Sequence, residues 1–119
     1  MKTHKNLKVW EESIYLVTEI YKQTENFPKS ELYGLTNQIR RSSVSIPSNI
    51  AEGAARHSQK EFIQFLYIGL GSASELETQL IIAENLGFTN KDINDELKMK
   101  LDTISKMLYG LIKSIKPKQ

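Results

Sequence analysis

From Phe62 to Ala83 the chain sets Phe62, Leu66, Gly69, Ala73, Leu76, Leu80 and Ala83 at alternating steps of four and three residues. A strand repeats every two residues, so this spacing specifies a helix with one continuous seam. Ser58 and Glu61 form an S-x-x-E capping box just before the run, and Leu86-Gly87 supplies a glycine stop after it. A helix of that length cannot bury its seam alone. The rest of the chain must provide partners of comparable length.

It does so three times. Leu7, Trp10, Ile14, Val17 and Tyr21 predict a first helix over about residues 7–24, with Leu16 and Ile20 widening its apolar stripe. Asn26-Phe27-Pro28 ends it, because the residue before a proline avoids helical geometry. Ser30 is placed to cap a second helix, with a core stripe of Leu32, Leu35, Ile39, Ser43, Ile46 and Ile50. A last helix opens at Thr89 or Asn90 and carries Ile93, Leu97, Leu101, Ile104, Leu108, Leu111 and Ile115 until Pro117. No segment alternates like a strand between turn signals, and the connections are short. Short connections make neighbours antiparallel, so residues 1–119 read as one all-α domain, an up-down-up-down four-helix bundle.

Pro47 falls inside the second helix. It lacks an N–H and clashes with the carbonyl of Ser43, so a kinked helix is expected, with two shorter helices as the alternative. Ser42, Ser43, Ser45 and Ser48 surround the proline and can bond to freed backbone groups. Gln38, Arg41, Ser45, Ser48 and Glu52 step by three and four beside the apolar stripe and form a polar seam. The third helix has no charge between Glu61 and Glu75, while Phe62, Ile63, Phe65, Leu66, Tyr67, Ile68 and Leu70 surround it. A helix that is apolar all round is covered on several sides, which points to another subunit, with a tightly wrapped monomer core as the alternative.

The chain has no cysteine, which excludes disulfides, thiolate metal sites and cysteine nucleophiles. Its two histidines, His4 and His57, do not follow a glutamate at the spacing a di-iron bundle uses, so neither a metal nor another cofactor is expected. His57 lies beside Ser58, but that serine is better explained as a helix cap than as a nucleophile. Glu52 and Glu75 are candidates for paired carboxylates; a glutamate fixed by an arginine across the seam is the stronger reading. No catalytic residue emerges. The basic N-terminal residues precede no apolar run and no stretch is long enough to span a bilayer, so a cytoplasmic protein is expected.

Formal net charge is +2, unevenly spread: residues 57–88 carry one Lys against four acids, and residues 89–119 carry seven Lys against four. The candidate phosphate-binding residues are Arg40, Arg41, Arg56 and Lys60, with Lys113 and Lys116 of the last helix. Arginine can pair with phosphate through two parallel hydrogen bonds.

LKVWEESIYLVTEIY, FPKSELYGLTNQIRRSSVSIPSNIAEGAAR and SQKEFIQFLYIGLGSASELETQL, followed by a leucine-rich helix, together resemble the 23S rRNA intervening-sequence proteins across nearly the whole chain. That resemblance implies a small bundle assembled into a ring, typically of five subunits, with a suspected role in RNA binding. A similar protein accompanies a reverse transcriptase and binds nucleic acid, so a scaffold docking a polymerase-type partner is the alternative. The family has no established catalytic residues. Its signature positions, matched here by Arg41, Ser45, Pro47, Asn49, Glu52 and Gly53, look structural or interfacial.

Overall fold

Ser58 starts the longest helix as its capping box requires: its Oγ accepts a hydrogen bond from the Glu61 backbone N–H at 3.1 Å. The computed structural model describes residues 4–115, with the backbone alone at Asn6. After a 3-10 turn at His4–Asn6 the four helices are α1 (Lys8–Thr24), α2 (Leu35–Ala54), α3 (Gln59–Asn85) and α4 (Lys91–Ile115). Each packs on its sequence neighbour and α1 closes on α4, which makes the up-down-up-down bundle expected from the loops. The molecule measures 48 × 22 × 19 Å, a rod about as long as α3 with its caps.

Each helix end has an identifiable cause. Gly87 adopts φ +77°, and behind it the Phe88 and Gly87 N–H groups donate to the carbonyls of Ala83 (2.9 Å) and Glu84 (3.0 Å). Those two bonds are a Schellman ending, and Gly87 is the residue that tolerates its left-handed backbone. Asn90 Oδ1 accepts from Ile93 N–H at 2.8 Å and starts α4. The start of α2 differs from expectation. Lys29–Glu31 is a separate 3-10 turn, Gly34 is the N-cap, and Leu32 stays exposed. Glu31, not Ser30, satisfies the new helix, its Oε1 accepting from Leu35 N–H at 3.1 Å.

The core consists largely of the expected stripes: Ile39, Ile46 and Ile50 from α2, Leu66, Leu76 and Leu80 from α3, and Leu97, Leu101, Ile104 and Leu108 from α4. The α1 stripe is a correction. Its buried positions are Val9, Ser13, Leu16, Ile20 and Thr24, whereas Ile14 and Tyr21 are exposed. Ser13 and Thr24 can be buried because their hydroxyls donate to carbonyls of their own helix, Trp10 O and Ile20 O, each at 2.8 Å. α2 runs as one helix through Pro47, so the two-helix alternative is excluded. The Ser43 hydroxyl donates to the carbonyl of Arg40 (2.8 Å) in the turn before the proline, and the Ser42 hydroxyl lies 3.1 Å from the Ile39 carbonyl.

Candidate nucleic-acid interface

α2 and α3 lie closest together, and small residues make that approach. A Cβ on Gly53 would stand 2.7 Å from Phe65 Cβ and 2.9 Å from Phe62 Cδ1, so only glycine fits there. Further along the seam Ser45 and Ser72 share a hydrogen bond of 2.8 Å, and Asn49 Nδ2 donates to Ser45 Oγ (2.9 Å) and Ser45 O (2.7 Å). Ser42 Oγ donates to Gln79 Oε1 at 2.7 Å, both residues being buried. Beyond these bonds the two helices part around a half-open polar cavity of about 360 Å³, lined by Asn37, Gln38, Arg41, Ser42, Ser45, Glu75 and Gln79. The expected seam therefore exists over Gln38, Arg41 and Ser45, while Ser48 and Glu52 are exposed.

Glu52 and Glu75 do not form a carboxylate pair. Glu75 lines the cavity at the level of Ser42 and Ser45, seven or more residues before Glu52 on α2, which is roughly 10 Å or more along the axis. Glu52 turns to Arg56 on its own helix exit, at 2.7 Å, so the expected cross-seam partner Arg41 is replaced by a local one. Among the described residues no group of three or more His, Asp or Glu side chains is placed to hold a metal ion.

The candidate basic residues fall into three settings. Arg40 is held by α1: its Nε donates to Thr24 Oγ1 at 2.9 Å, its guanidinium lies 4.6 Å from the Tyr21 ring centre, and it is half-buried. Arg41 is exposed at the cavity, in none of the ion pairs among the described residues. Arg56, Lys60 and Lys113 share one end of the rod, because α2 ends, α3 begins and α4 ends there. All three are exposed; the Arg56 guanidinium sits 4.9 Å from the Phe65 ring centre, which fixes its direction beside Glu52. Lys116 lies outside the described residues. At the opposite end Lys91 donates to Asp95 at 2.6 Å. That hydrogen bond and the adjoining charge raise the Lys91 pKa and lower that of Asp95.

A sequence model of the 23S rRNA-intervening sequence proteins matches residues 5–110, which includes the α2–α3 seam and all of the basic candidates except Lys113 and Lys116. The chain belongs to that family. A crystal structure at 1.70 Å of a protein of unknown function from the S23 ribosomal protein family of Bacteroides thetaiotaomicron has the same fold. It is 28% identical, with a TM-score of 0.79 over 88% of this chain and 98% of that one. No curated protein matches the chain. Among the described residues no helix is long and apolar enough to cross a membrane.

Sequence reasoning missed Asn94, which is fully buried and ties α4 to α3, its Nδ2 donating to Leu80 O and Glu84 Oε1, both at 2.9 Å. The signal was present. Asn90 and Asn94 are four apart, so one caps the helix while the other points back over the end of α3.

Proposed function

We propose that this member of the family is a non-enzymatic cytoplasmic protein that associates with RNA through its phosphates, as a ring-like homo-oligomer. The observation that carries the reading is the gathering of Arg56, Lys60 and Lys113 at one end of the rod, brought there from three separate stretches of sequence. Arg56 is paired there with Glu52, so Lys60 and Lys113 supply the net charge, and repeated around a ring their weak contacts add by avidity. Arg41 lies on the same helix as the seam, fifteen residues before Arg56 and roughly 20 Å from it along the axis, and extends the basic track.

Self-association is supported by the outward face of α3, where Tyr67, Ile68, Ile81 and Ile82 remain exposed. A second apolar surface, between α1 and α2, is a groove lined by Trp10, Ile14, Val17, Val44, Pro47 and Ala51. Two unlike sticky faces on one subunit favour head-to-tail contacts, which close into rings. The subunit number of five rests on the family resemblance. The same groove also favours a second reading, a scaffold that docks a protein partner such as a polymerase.

Fluorescence anisotropy with a labelled structured RNA at several salt concentrations tests the first reading. Binding should weaken steeply with salt, and each of Arg56→Ala, Lys60→Ala and Lys113→Ala should lower the salt slope by about one per subunit engaged. No binding at low salt defeats it, and a protein partner that survives nuclease treatment then favours the scaffold. Sedimentation velocity of the wild type against Ile68→Glu/Ile82→Glu tests the ring, which requires the double variant to dissociate.

A further inference from the structure

The α2–α3 cavity holds an unusual combination for a surface that meets a polyanion. Arg41 enters its lining from α2 and Glu75 from α3, and neither takes part in an ion pair among the described residues. Gln79 lines the same cavity and is only 7% exposed. One end of its amide is fixed by Ser42 at 2.7 Å, while Nε2 has no protein acceptor among the described residues. Gln79 lines the cavity, and that nitrogen is not one of the polar atoms sealed from solvent. An amide anchored at one end and accessible at the other can offer its free end to a ligand in place of water.

The lining narrows what that ligand can be. An apolar group would leave Gln79, Arg41 and Glu75 unsatisfied, and a bare phosphate would face the Glu75 carboxylate. The fit is to a planar group with acceptors on one edge and donors on the next. Guanine has that pattern. Its N7 and O6 accept the forked N–H groups of an arginine, and its N1–H and N2–H₂ donate together to a carboxylate. Adenine sets an amino donor where Arg41 needs an acceptor, and neither pyrimidine offers two adjacent donors beside an arginine-reading edge. At about 360 Å³ the cavity lies within the ordinary size range of small-ligand sites.

We propose that this cavity takes a guanine base from single-stranded RNA, with Arg41 on its O6/N7 edge, Glu75 on N1–H and N2–H₂, and Gln79 as a third polar contact. Unstacked bases in loops and single strands are the usual targets of such reading. The assignment rests on the RNA reading above, and it accounts for a carboxylate in a nucleic-acid-facing seam, which phosphate contacts alone do not.

The test uses the full chain, with anisotropy on two labelled single strands, an oligouridylate and the same strand with one central guanosine. Calorimetry with 5′-GMP and 5′-AMP runs beside it. The guanosine strand should bind roughly tenfold or more tightly than the oligouridylate, the range of one good bidentate base contact. 5′-GMP should likewise be preferred to 5′-AMP. Glu75→Gln, at an exposed position that leaves the core untouched, should erase both preferences while oligouridylate binding stays level or tightens slightly. Equal affinity for the two strands, with no preference for 5′-GMP, overturns the guanine pocket; salt-sensitive oligouridylate binding would then leave the phosphate reading standing. Selective 5′-GMP binding with neither strand held overturns the RNA reading instead, and makes the free nucleotide the ligand of the pocket.

Discussion

The two sides of α2 are built on opposite principles. Toward α3 it presents Gly53, Ser42, Ser45 and Asn49, and the helices approach until a single methyl group would collide. Toward α1 it presents Val44, Pro47 and Ala51, which line an open groove with Trp10, Ile14 and Val17. The first side is closed by small and polar residues whose hydrogen bonds are made within the chain. The second is apolar and unfinished. On these two sides of α2 small polar residues mark the close helix contact and larger apolar ones line the open groove, while Ile39, Ile46 and Ile50 of the same helix fill the core.

The strongest way to break the comparison is to make the tight side loose. Gly53→Val places side-chain atoms inside the contact with Phe62 and Phe65, and neither neighbour can retreat without moving α3. Overpacking of this kind costs about 3 kcal/mol, the upper part of the usual range. Thermal unfolding should show a large drop in Tm. A change within a degree of wild type would mean that the helices are not in close contact at this point.

Arg40→Ala comes next. It removes the hydrogen bond to Thr24 Oγ1 and the stacking on Tyr21, and with them a clamp between the end of α1 and the start of α2. A hydrogen bond from a charged group contributes about 1.5–3 kcal/mol. Half-burial of the arginine places the expected loss near the lower figure. Denaturant titration measures it. RNA affinity in this variant should fall less than in Lys60→Ala, because Arg40 is engaged by Thr24 and Tyr21, whereas Lys60 is exposed and in none of the ion pairs among the described residues.

Most of the fold was legible in the sequence because the stripes of α2, α3 and α4 are mainly apolar at the expected positions, although Ser42, Ser43, Gln79 and Asn94 are buried among them. α1 shows where legibility stops. Its apolar residues occupy two adjacent faces, and a tally of side-chain polarity selects Trp10, Ile14, Val17 and Tyr21. The buried face instead includes Ser13 and Thr24, whose hydroxyls are satisfied inside their own helix and so cost little to enclose. Polarity alone cannot signal that satisfaction. The candidate site has the same lesson in another form. The spacing of Gln38, Arg41 and Ser45 revealed the seam, but not that Glu75 and Gln79 complete a cavity with it, since that depends on the register of α3 against α2. Register came from Gly53 and the Ser45–Ser72 pair. Nothing in one helix's periodicity encodes it.

The Ser45–Ser72 bond gives a smaller test of that register. In a double-mutant cycle, Ser45→Ala and Ser72→Ala should each cost about 1 kcal/mol and together less than their sum, since one hydrogen bond is shared. Strict additivity would show that the two hydroxyls do not meet.

The smallest expected effect separates the interior from the surface to be shared. A Cβ added to Gly71 or to Gly110 meets nothing within 4 Å, and both lie inside helices. Alanine at either position should stabilise the isolated subunit by up to about 1 kcal/mol, the difference in helix propensity. The two positions part company in the assembly. Gly71 sits on the outward face of α3, one turn from Ile68, where a neighbouring backbone could pack on it. Gly110 lies on α4. If α3 is the contact between subunits, Gly71→Ala should raise the unfolding temperature of the dissociated chain yet weaken association in sedimentation velocity, while Gly110→Ala leaves association as it was. Equal association for the two variants would remove close helix packing at Gly71 from the ring and leave its contact to the larger side chains alone.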